Sequence, residues 1–195
     1  MLIGGSSHVG KSTLAEFLAS KLGWDCISTD RLARHPGRPW KAKPEKVPEY
    51  VVEHYLTLPV DELITDVLRH YRDNVWPIVE TLVTSRATDL STERLIMEGS
   101  ALWPESVVTL GLDNVAALWL TASDNLFERR IYKNSEYKKK TPQEKILIDK
   151  FLKRTMVYNE GMNVSINRLG LASINVESIY SLEELSQKCL ELINS

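Results

Sequence analysis

The sequence predicts an α/β fold in which helices cover both faces of a parallel β-sheet. Five short apolar segments of strand character alternate along the chain with segments of helical periodicity, and this alternation is typical of parallel sheets buried on both faces. A glycine-rich loop also joins the first strand to the first helix. Because such sheets bind ligands beyond the carboxyl ends of their strands, the polar residues at those ends are the candidates for function.

Each element follows from a local pattern. Apolar runs predict strands at residues 2–3, 24–29, 94–98, 115–120 and 172–176. Periodic apolar residues predict helices at residues 13–21, 47–56, 60–85, 125–131, 142–167 and 182–193. Gly23 stops the first helix, Pro142 starts the fifth, and Pro77 should kink or restart the third. Residues 132–141 are polar and rich in lysine, which predicts a loop.

Length and composition limit the classes of protein that fit. With 195 residues, 43% hydrophobic and 26% charged, the chain is expected to form one soluble domain, residues 1–195. The formal net charge of −2 argues against a nucleic-acid or membrane partner. Two cysteines and no apolar run of signal or membrane-spanning length predict a cytoplasmic protein. A monomer or homodimer is expected, and the sequence does not choose between them.

The loop after the first strand fits the phosphate-binding (Walker A) pattern G-x-x-x-x-G-K-[ST]. Its glycines let successive backbone N–H groups point at phosphate oxygens, and the following helix presents its positive end to the same phosphates. Lysine in this pattern reaches the β- and γ-phosphates, and the serine hydroxyl ligates Mg²⁺. The sequence therefore predicts ATP and Mg²⁺ as cofactors, with Ser12 as the metal ligand and Lys11 as a catalytic residue. The loop's predicted nucleotide-binding residues are Gly5, Ser6, Ser7, His8, Val9, Gly10, Lys11, Ser12 and Thr13.

Asp30 ends the second strand, next to the expected phosphate site. A carboxylate there can accept the proton of an attacking hydroxyl, although it also fits an N-cap on a short turn. Five cations and no acid follow between Asp30 and Glu45, and they include Arg34 and Arg38. Because the arginine guanidinium binds carboxylate and phosphate groups, Arg34 and Arg38 are predicted to bind an anionic substrate, and Asp30 to bind its hydroxyl. The alternative for the basic stretch is a solvated loop.

Two further groups of polar residues stand at expected strand or helix ends. Glu98-Gly99-Ser100 closes the third strand, where the carboxylate of Glu98 would hold water on Mg²⁺ or bind the acceptor together with Ser100. Whether Asp30 or Glu98 is the base stays open. Arg129 and Arg130 precede the lysine-rich loop, which would close over ATP, with Arg129 on the nucleotide and Arg130 catalytic. The alternative is an exposed loop whose cations favour a helix C-terminus.

These motifs together resemble small-molecule kinases of the nucleoside-monophosphate-kinase type. Gly4 to Ser12 with Ile27-Ser-Thr-Asp30 is most similar to 2-phosphoglycerate kinases, and Asp30 with Met97-Glu-Gly-Ser100 is similar to zeta toxins and chloramphenicol phosphotransferases. The resemblance implies a P-loop three-layer α/β/α fold with a five-stranded parallel sheet of order 2-3-1-4-5. It also implies a helical acceptor-binding region at about 44–90, a lid at about 130–142, and Asp30 as the base. The arginine and glycine motifs typical of shikimate kinase are not found.

The function expected from the sequence is transfer of the γ-phosphoryl group of ATP to a hydroxyl, or a phosphate, of a small anionic metabolite. One alternative is a regulatory P-loop module that binds nucleotide without phosphotransfer. A GTPase is disfavoured because the chain has no D-x-x-G or N-K-x-D motif. Another alternative is a toxin-type kinase acting on a nucleotide sugar, which would share the catalytic residues and differ in the acceptor pocket.

Overall fold

A computed structural model describes residues 1–33, 35–41, 45–89 and 91–193. It contains one five-stranded parallel sheet of order β2-β3-β1-β4-β5 with helices on both faces. The predicted fold class and strand order are therefore confirmed. The strands are β1 (Leu2–Gly5), β2 (Asp25–Ser28), β3 (Leu95–Glu98), β4 (Ala117–Thr121) and β5 (Ser173–Asn175).

The strand register brings the candidate residues to one edge of the sheet. Strand β1 lies between β3 and β4, with Ile3 opposite both Glu98 and Leu118. Ser28 is opposite Glu98, so the loop that follows β2 begins beside the end of β3. The phosphate-binding loop, the residues after Ser28 and the residues after Glu98 therefore all start at the same carboxyl-end edge.

The helices cover the sheet on both faces. They are α1 (Lys11–Leu22), α2 (Glu49–Thr57), α3 (Val60–His70), α4 (Trp76–Thr88), α5 (Pro104–Val108), α6 (Asp124–Asn134), α7 (Pro142–Leu169) and α8 (Leu182–Ile193). Side chains on strand β1 alternate between two apolar clusters, since Ile3 belongs to one and Leu2 to the other. Leu118 and Trp119 alternate in the same way on β4. Within the described residues, no helix combines the length and apolar character needed to cross a membrane.

The predicted helix at 60–85 is divided where the sequence indicated a break. It consists of α3, a π-helical turn (Tyr71–Val75) and α4, and Pro77 stands in the first turn of α4. A proline fits there because the first N–H groups of a helix have no acceptor within the helix. The short helix α5 was not predicted from the sequence.

The segment predicted as a loop at 132–141 is more ordered than its composition indicated. Helix α6 continues to Asn134, and a 3₁₀ turn covers Tyr137–Lys139. The rings of Tyr132 and Tyr137 stack at 4.0 Å, and both hydroxyl groups donate to the carboxylate of Asp149 on α7, at 2.9 and 2.8 Å. These contacts hold the segment against α7. A role as a lid over ATP stays a prediction.

Candidate active site

The phosphate-binding loop has the backbone conformation that its glycines permit. Gly10 has φ 111° directly before α1, and His8, which is not a glycine, has φ 65°. Gly5 has φ 145°, and a Cβ atom there would lie 2.7 Å from the carbonyl oxygen of Leu120. A side chain at position 5 would therefore push the loop away from β4.

Lys11 lies inside the loop that it follows. Its ammonium group donates to the carbonyl oxygen of Ser6 at 2.9 Å and to the hydroxyl of Ser100 at 3.4 Å. The residue is only 7% exposed, and burial lowers the pKa of Lys11, while the carboxylates of Glu98 and Asp30 act in the opposite direction. The ammonium group therefore lies at the bottom of the loop, where anionic phosphate oxygens would replace the weaker carbonyl contact.

The side chains of Ser12 and Glu98 are in direct contact. The Ser12 hydroxyl donates to Glu98 Oε1 at 3.1 Å, and Glu98 is 3% exposed. A hydroxyl and a carboxylate oxygen at the mouth of a phosphate-binding loop form a hard-oxygen donor set, which fits Mg²⁺. Gly99, directly after β3, lets the backbone pass close to Thr29, which follows β2. A Cβ atom at Gly99 would lie 1.7 Å from Thr29 Oγ1.

A cavity of about 530 Å³, here called the phosphate cavity, opens over the loop. Its lining includes predicted residues from Ser7 to Thr13, with Asp30, Arg38, Glu98, Ser100 and Arg130. A further part of the lining comes from the segment between β5 and α8 and from the first turn of α8, which the sequence analysis missed. The residues of this part are Val176, Ile179, Tyr180, Ser181, Leu182 and Leu185. Tyr180 is 96% exposed, so its ring is free to cover a planar group that enters the cavity.

The two arginines of α6 have different surroundings. The Arg130 guanidinium donates to the carbonyl oxygens of His8 and Val9, at 2.9 and 2.7 Å, and so contacts the phosphate-binding loop from outside. Arg129 lies 3.6 Å from Glu177 and is exposed, and it is not among the described residues that line the phosphate cavity. The structure therefore brings Arg130 to the site. Nucleotide binding by Arg129 stays a prediction.

A second cavity, of about 170 Å³, adjoins the first and is here called the acceptor cavity. Ser7, Asp30, Arg38 and Ser100 line both cavities and so mark their junction. The remaining wall comes from the loop after β2, from α3 and the π-helical turn, and from α7. It includes His35, His70, Tyr71, Arg154 and Tyr158.

Arg154 on α7 is the main residue that the sequence analysis missed. It is 8% exposed, and its guanidinium lies 5.7 Å from the Tyr55 ring and 4.9 Å from the Phe151 ring. Its Nη1 atom is buried and has no hydrogen-bond partner among the described residues. A buried cation without a paired anion is costly, so this arrangement indicates an anion-binding position in the cavity wall.

The predicted basic stretch contributes through one described residue. Arg38 lines both cavities, whereas Lys41 forms an ion pair with Glu45 at 3.4 Å and is not among the described residues that line them. Arg34 lies outside the described residues, so its role in acceptor binding stays a prediction.

The hydroxyl of Tyr158 donates to the carbonyl oxygen of Ser100, and the hydroxyl of Ser6 donates to the carbonyl of Thr155 at 3.1 Å. Helix α7 is thereby fixed to both the strand end at Ser100 and the phosphate-binding loop. Burial raises the pKa of Tyr158 well above its usual value, so this hydroxyl stays protonated and remains a donor. Arg154, one turn before Tyr158, is consequently held at a set distance from the loop.

The fold is that of the P-loop small-molecule kinases. The chain resembles the crystal structure of a gluconokinase from Sinorhizobium meliloti 1021 with a TM-score of 0.57 and 18% identity, covering 99% of this chain and 90% of that one. It also resembles shikimate kinases from Aquifex aeolicus (TM-score 0.53, 12% identity, 99% and 95% covered) and Bacteroides thetaiotaomicron (0.52, 16%, 100% and 97%). The chain matches no protein-family profile and no curated protein sequence.

Proposed function

We propose that this protein is an ATP-dependent phosphotransferase that moves the γ-phosphoryl group to a hydroxyl of a small anionic metabolite. The observation that carries the proposal is the junction of the two cavities. One cavity is lined by the phosphate-binding loop with Lys11. The other is lined by Arg154, whose buried Nη1 atom has no hydrogen-bond partner in the part of the chain that the structure describes, and Asp30 lines both. A donor and an acceptor that occupy the two cavities would meet at Asp30.

On the donor side, each residue has a task that follows from its position. Lys11 at the bottom of the loop would neutralise charge on the β- and γ-phosphates. Ser12 and Glu98 would hold Mg²⁺, directly or through water, and bound Mg²⁺ would supply further charge neutralisation at the phosphate oxygens. The backbone N–H groups of the loop and the start of α1 would orient the phosphate chain.

At the junction, Asp30 is the better candidate for the base. It lines both cavities, whereas Glu98 is buried and already accepts a hydrogen bond from the Ser12 hydroxyl. In the proposed step the acceptor oxygen forms a bond to the γ-phosphorus, and the bond to the bridging oxygen of ADP breaks. The hydroxyl proton passes to the carboxylate of Asp30.

The acceptor cavity favours a small anion. Arg38 and Arg154 supply two positive charges, and Asp30 supplies one negative charge. Burial lowers the pKa of His35 to about 3 and also lowers that of His70, so both rings are neutral at pH 7. Arginine forks would bind a carboxylate or phosphate of the acceptor, leaving its hydroxyl at Asp30.

Cavity size argues against the toxin-type alternative. The acceptor cavity of about 170 Å³ is smaller than the roughly 300–1,000 Å³ of sites for drug-sized ligands, so a nucleotide sugar would not fit within it. Gluconate and shikimate, for which the reported neighbours are named, are small hydroxy-carboxylates. The sequence resemblance adds 2-phosphoglycerate as a specific acceptor to be tested.

The proposal is tested by a screen for ATP consumption. The acceptors should be hydroxy-carboxylates, phosphorylated hydroxy acids including 2-phosphoglycerate, neutral polyols and amino alcohols, with Lys11→Ala as the blank. We expect turnover that depends on one anionic acceptor, with a phosphorylated product seen by mass spectrometry. ATP binding without any acceptor-dependent turnover would instead support the regulatory module.

A further inference from the structure

Three of the four histidines of this chain lie together beside the acceptor cavity. His35 is in the loop after β2, His54 is on α2, and His70 is on α3. The ring of His35 lies 5.8 Å from that of His54 and 4.9 Å from that of His70. Asp66, one helical turn before His70, completes the group.

The imidazole nitrogens converge on one oxygen atom. Asp66 Oδ2 lies 3.6 Å from His35 Nε2 and 4.0 Å from His54 Nε2, and the ligand atoms of the three residues lie within 4.8 Å of one another. Zinc bonds of about 2.0–2.1 Å place tetrahedral ligand atoms about 3.4 Å apart. Small side-chain rotations would therefore bring this group to the spacing of bound ligands.

The atoms that face one another lack other partners. The Nε2 atoms of His35, His54 and His70 are each buried without a hydrogen-bond partner among the described residues. A ring nitrogen that makes no hydrogen bond offers its lone pair to a ligand when the imidazole is neutral. Buried ring nitrogens without partners carry a desolvation cost that a ligand would offset.

We propose that His35, His54 and Asp66 form a binding site for one divalent transition cation, with Zn²⁺ as the ion that best suits two imidazoles and a carboxylate. A ligand set of this kind leaves a fourth coordination position for water or another group. It differs in kind from the hard-oxygen pair Ser12 and Glu98, which suits Mg²⁺.

The contacts around the site orient it in the way metal ligands require. Arg69 donates to Asp66 Oδ1 at 2.5 Å, which fixes the carboxylate and leaves Oδ2 turned toward the histidines. Binding through His35 Nε2 puts the ring proton on Nδ1, so the long contact of 3.4 Å from the Gly37 N–H to Nδ1 is given up. The free energy lost with that weak hydrogen bond is smaller than the free energy gained from a metal–nitrogen bond.

A bound cation would join three separate parts of the acceptor region. It would connect the loop that continues from Asp30 to Arg38 with both α2 and α3. His35 also lines the acceptor cavity, so the cation would hold that wall in place. This role is separate from phosphotransfer and does not depend on the function proposed above.

The test uses the 195-residue chain with the substitution Glu98→Gln, so that the Ser12 and Glu98 site does not compete for cation. Zn²⁺ binding is measured by calorimetry, and Co²⁺, its spectroscopic substitute, is titrated by visible absorption. We expect one ion per chain and the intense absorption bands of four-coordinate Co²⁺. His54→Gln and Asp66→Asn should each weaken binding about tenfold or more.

Glu53→Gln is the matched control, because this exposed acid stands next to His54 on α2. It should bind Zn²⁺ and Co²⁺ like the parent. Circular dichroism and urea denaturation show that each variant is folded. If folded His54→Gln and Asp66→Asn bind Co²⁺ as tightly as the parent, or if the parent binds no Zn²⁺ at micromolar concentrations, the assignment is wrong.

Discussion

Replacing Arg154 by methionine separates a binding role from a packing role for this buried cation. Methionine keeps an unbranched stem beside Tyr55 and Phe151 but removes the charge and the five donors. A hydrogen bond to a charged group contributes about 1.5–3 kcal/mol, so losing the arginine's contact with an anionic acceptor should raise the acceptor KM about 10- to 150-fold. The KM for ATP should change little, because Arg154 is not among the described residues that line the phosphate cavity.

The same substitution should leave the protein as stable as before, or more stable. The cation–π contacts of Arg154 contribute about 0.5–2 kcal/mol, but keeping a charge buried without a paired anion costs at least as much. We therefore expect an unchanged or higher midpoint of urea denaturation. Lys153→Met is the matched control, since Lys153 is exposed on the same helix. It should alter neither KM nor stability.

The measurements are steady-state kinetics with the acceptor found by screening, and urea denaturation of the unliganded protein. A variant that loses several kcal/mol of stability while its acceptor KM stays unchanged would refute the reasoning. Arg154 would then be a packing residue held by its two aromatic neighbours. Arg154→Lys gives a further check, because an ammonium group lacks the planar fork and should restore little of the lost affinity.

The remaining predictions concern the phosphate-binding loop, the base and the buried histidines. Lys11→Ala should abolish measurable Mg²⁺-dependent ATP binding in calorimetry, because the phosphates lose their buried cation; equal affinity in both proteins would contradict this. Asp30→Asn should bind ATP normally and lower kcat by about 10² or more, and an active Asp30→Asn beside an inactive Glu98→Gln would reverse the two roles. Burial lowers the pKa of His8 to about 4 and that of His35 to about 3, below the value of about 6.5 for an unfolded histidine. The unfolded state therefore binds more protons as the pH falls below about 6.5, and urea denaturation should show stability falling by up to about 1.4 kcal/mol per pH unit for each histidine; a stability that does not change between pH 7 and pH 5 would count against these buried positions.

The sheet and the donor side of the site were predictable because their signals are local. A glycine loop between a strand and a helix predicts phosphate binding from adjacent residues, and an apolar strand that ends in Glu98 predicts a carboxylate near that loop. The order of the strands came from the family resemblance, since the pairing of non-adjacent strands leaves no mark on a single sequence.

The acceptor side was mostly hidden because its residues are distant in sequence. Arg154 follows Lys150 and Lys153 on a polar helix, a pattern typical of a solvated face, and only packing against Tyr55 shows that it is buried. The histidines at 35, 54 and 70 have no common local pattern and meet only when α2 and α3 fold against the loop after β2. The residues at 176–185 that line the phosphate cavity looked, in the sequence, like the end of an ordinary strand and the start of an ordinary helix.

The π-helical turn between α3 and α4 makes the acceptor cavity sensitive to a change of a single residue in chain length. Such a turn contains one residue more than an α-helical turn. Deleting exposed Asp73 would remove the extra residue and place Pro77 inside a continuous α-helix, where its ring clashes with the preceding turn and kinks the helix. Such a kink would displace His70, Tyr71 and Val75, which line the acceptor cavity, while the sheet and the phosphate-binding loop stayed intact. Single-codon deletions and insertions at this turn therefore offer a route by which relatives of this fold could exchange acceptors without rebuilding the machinery that binds ATP.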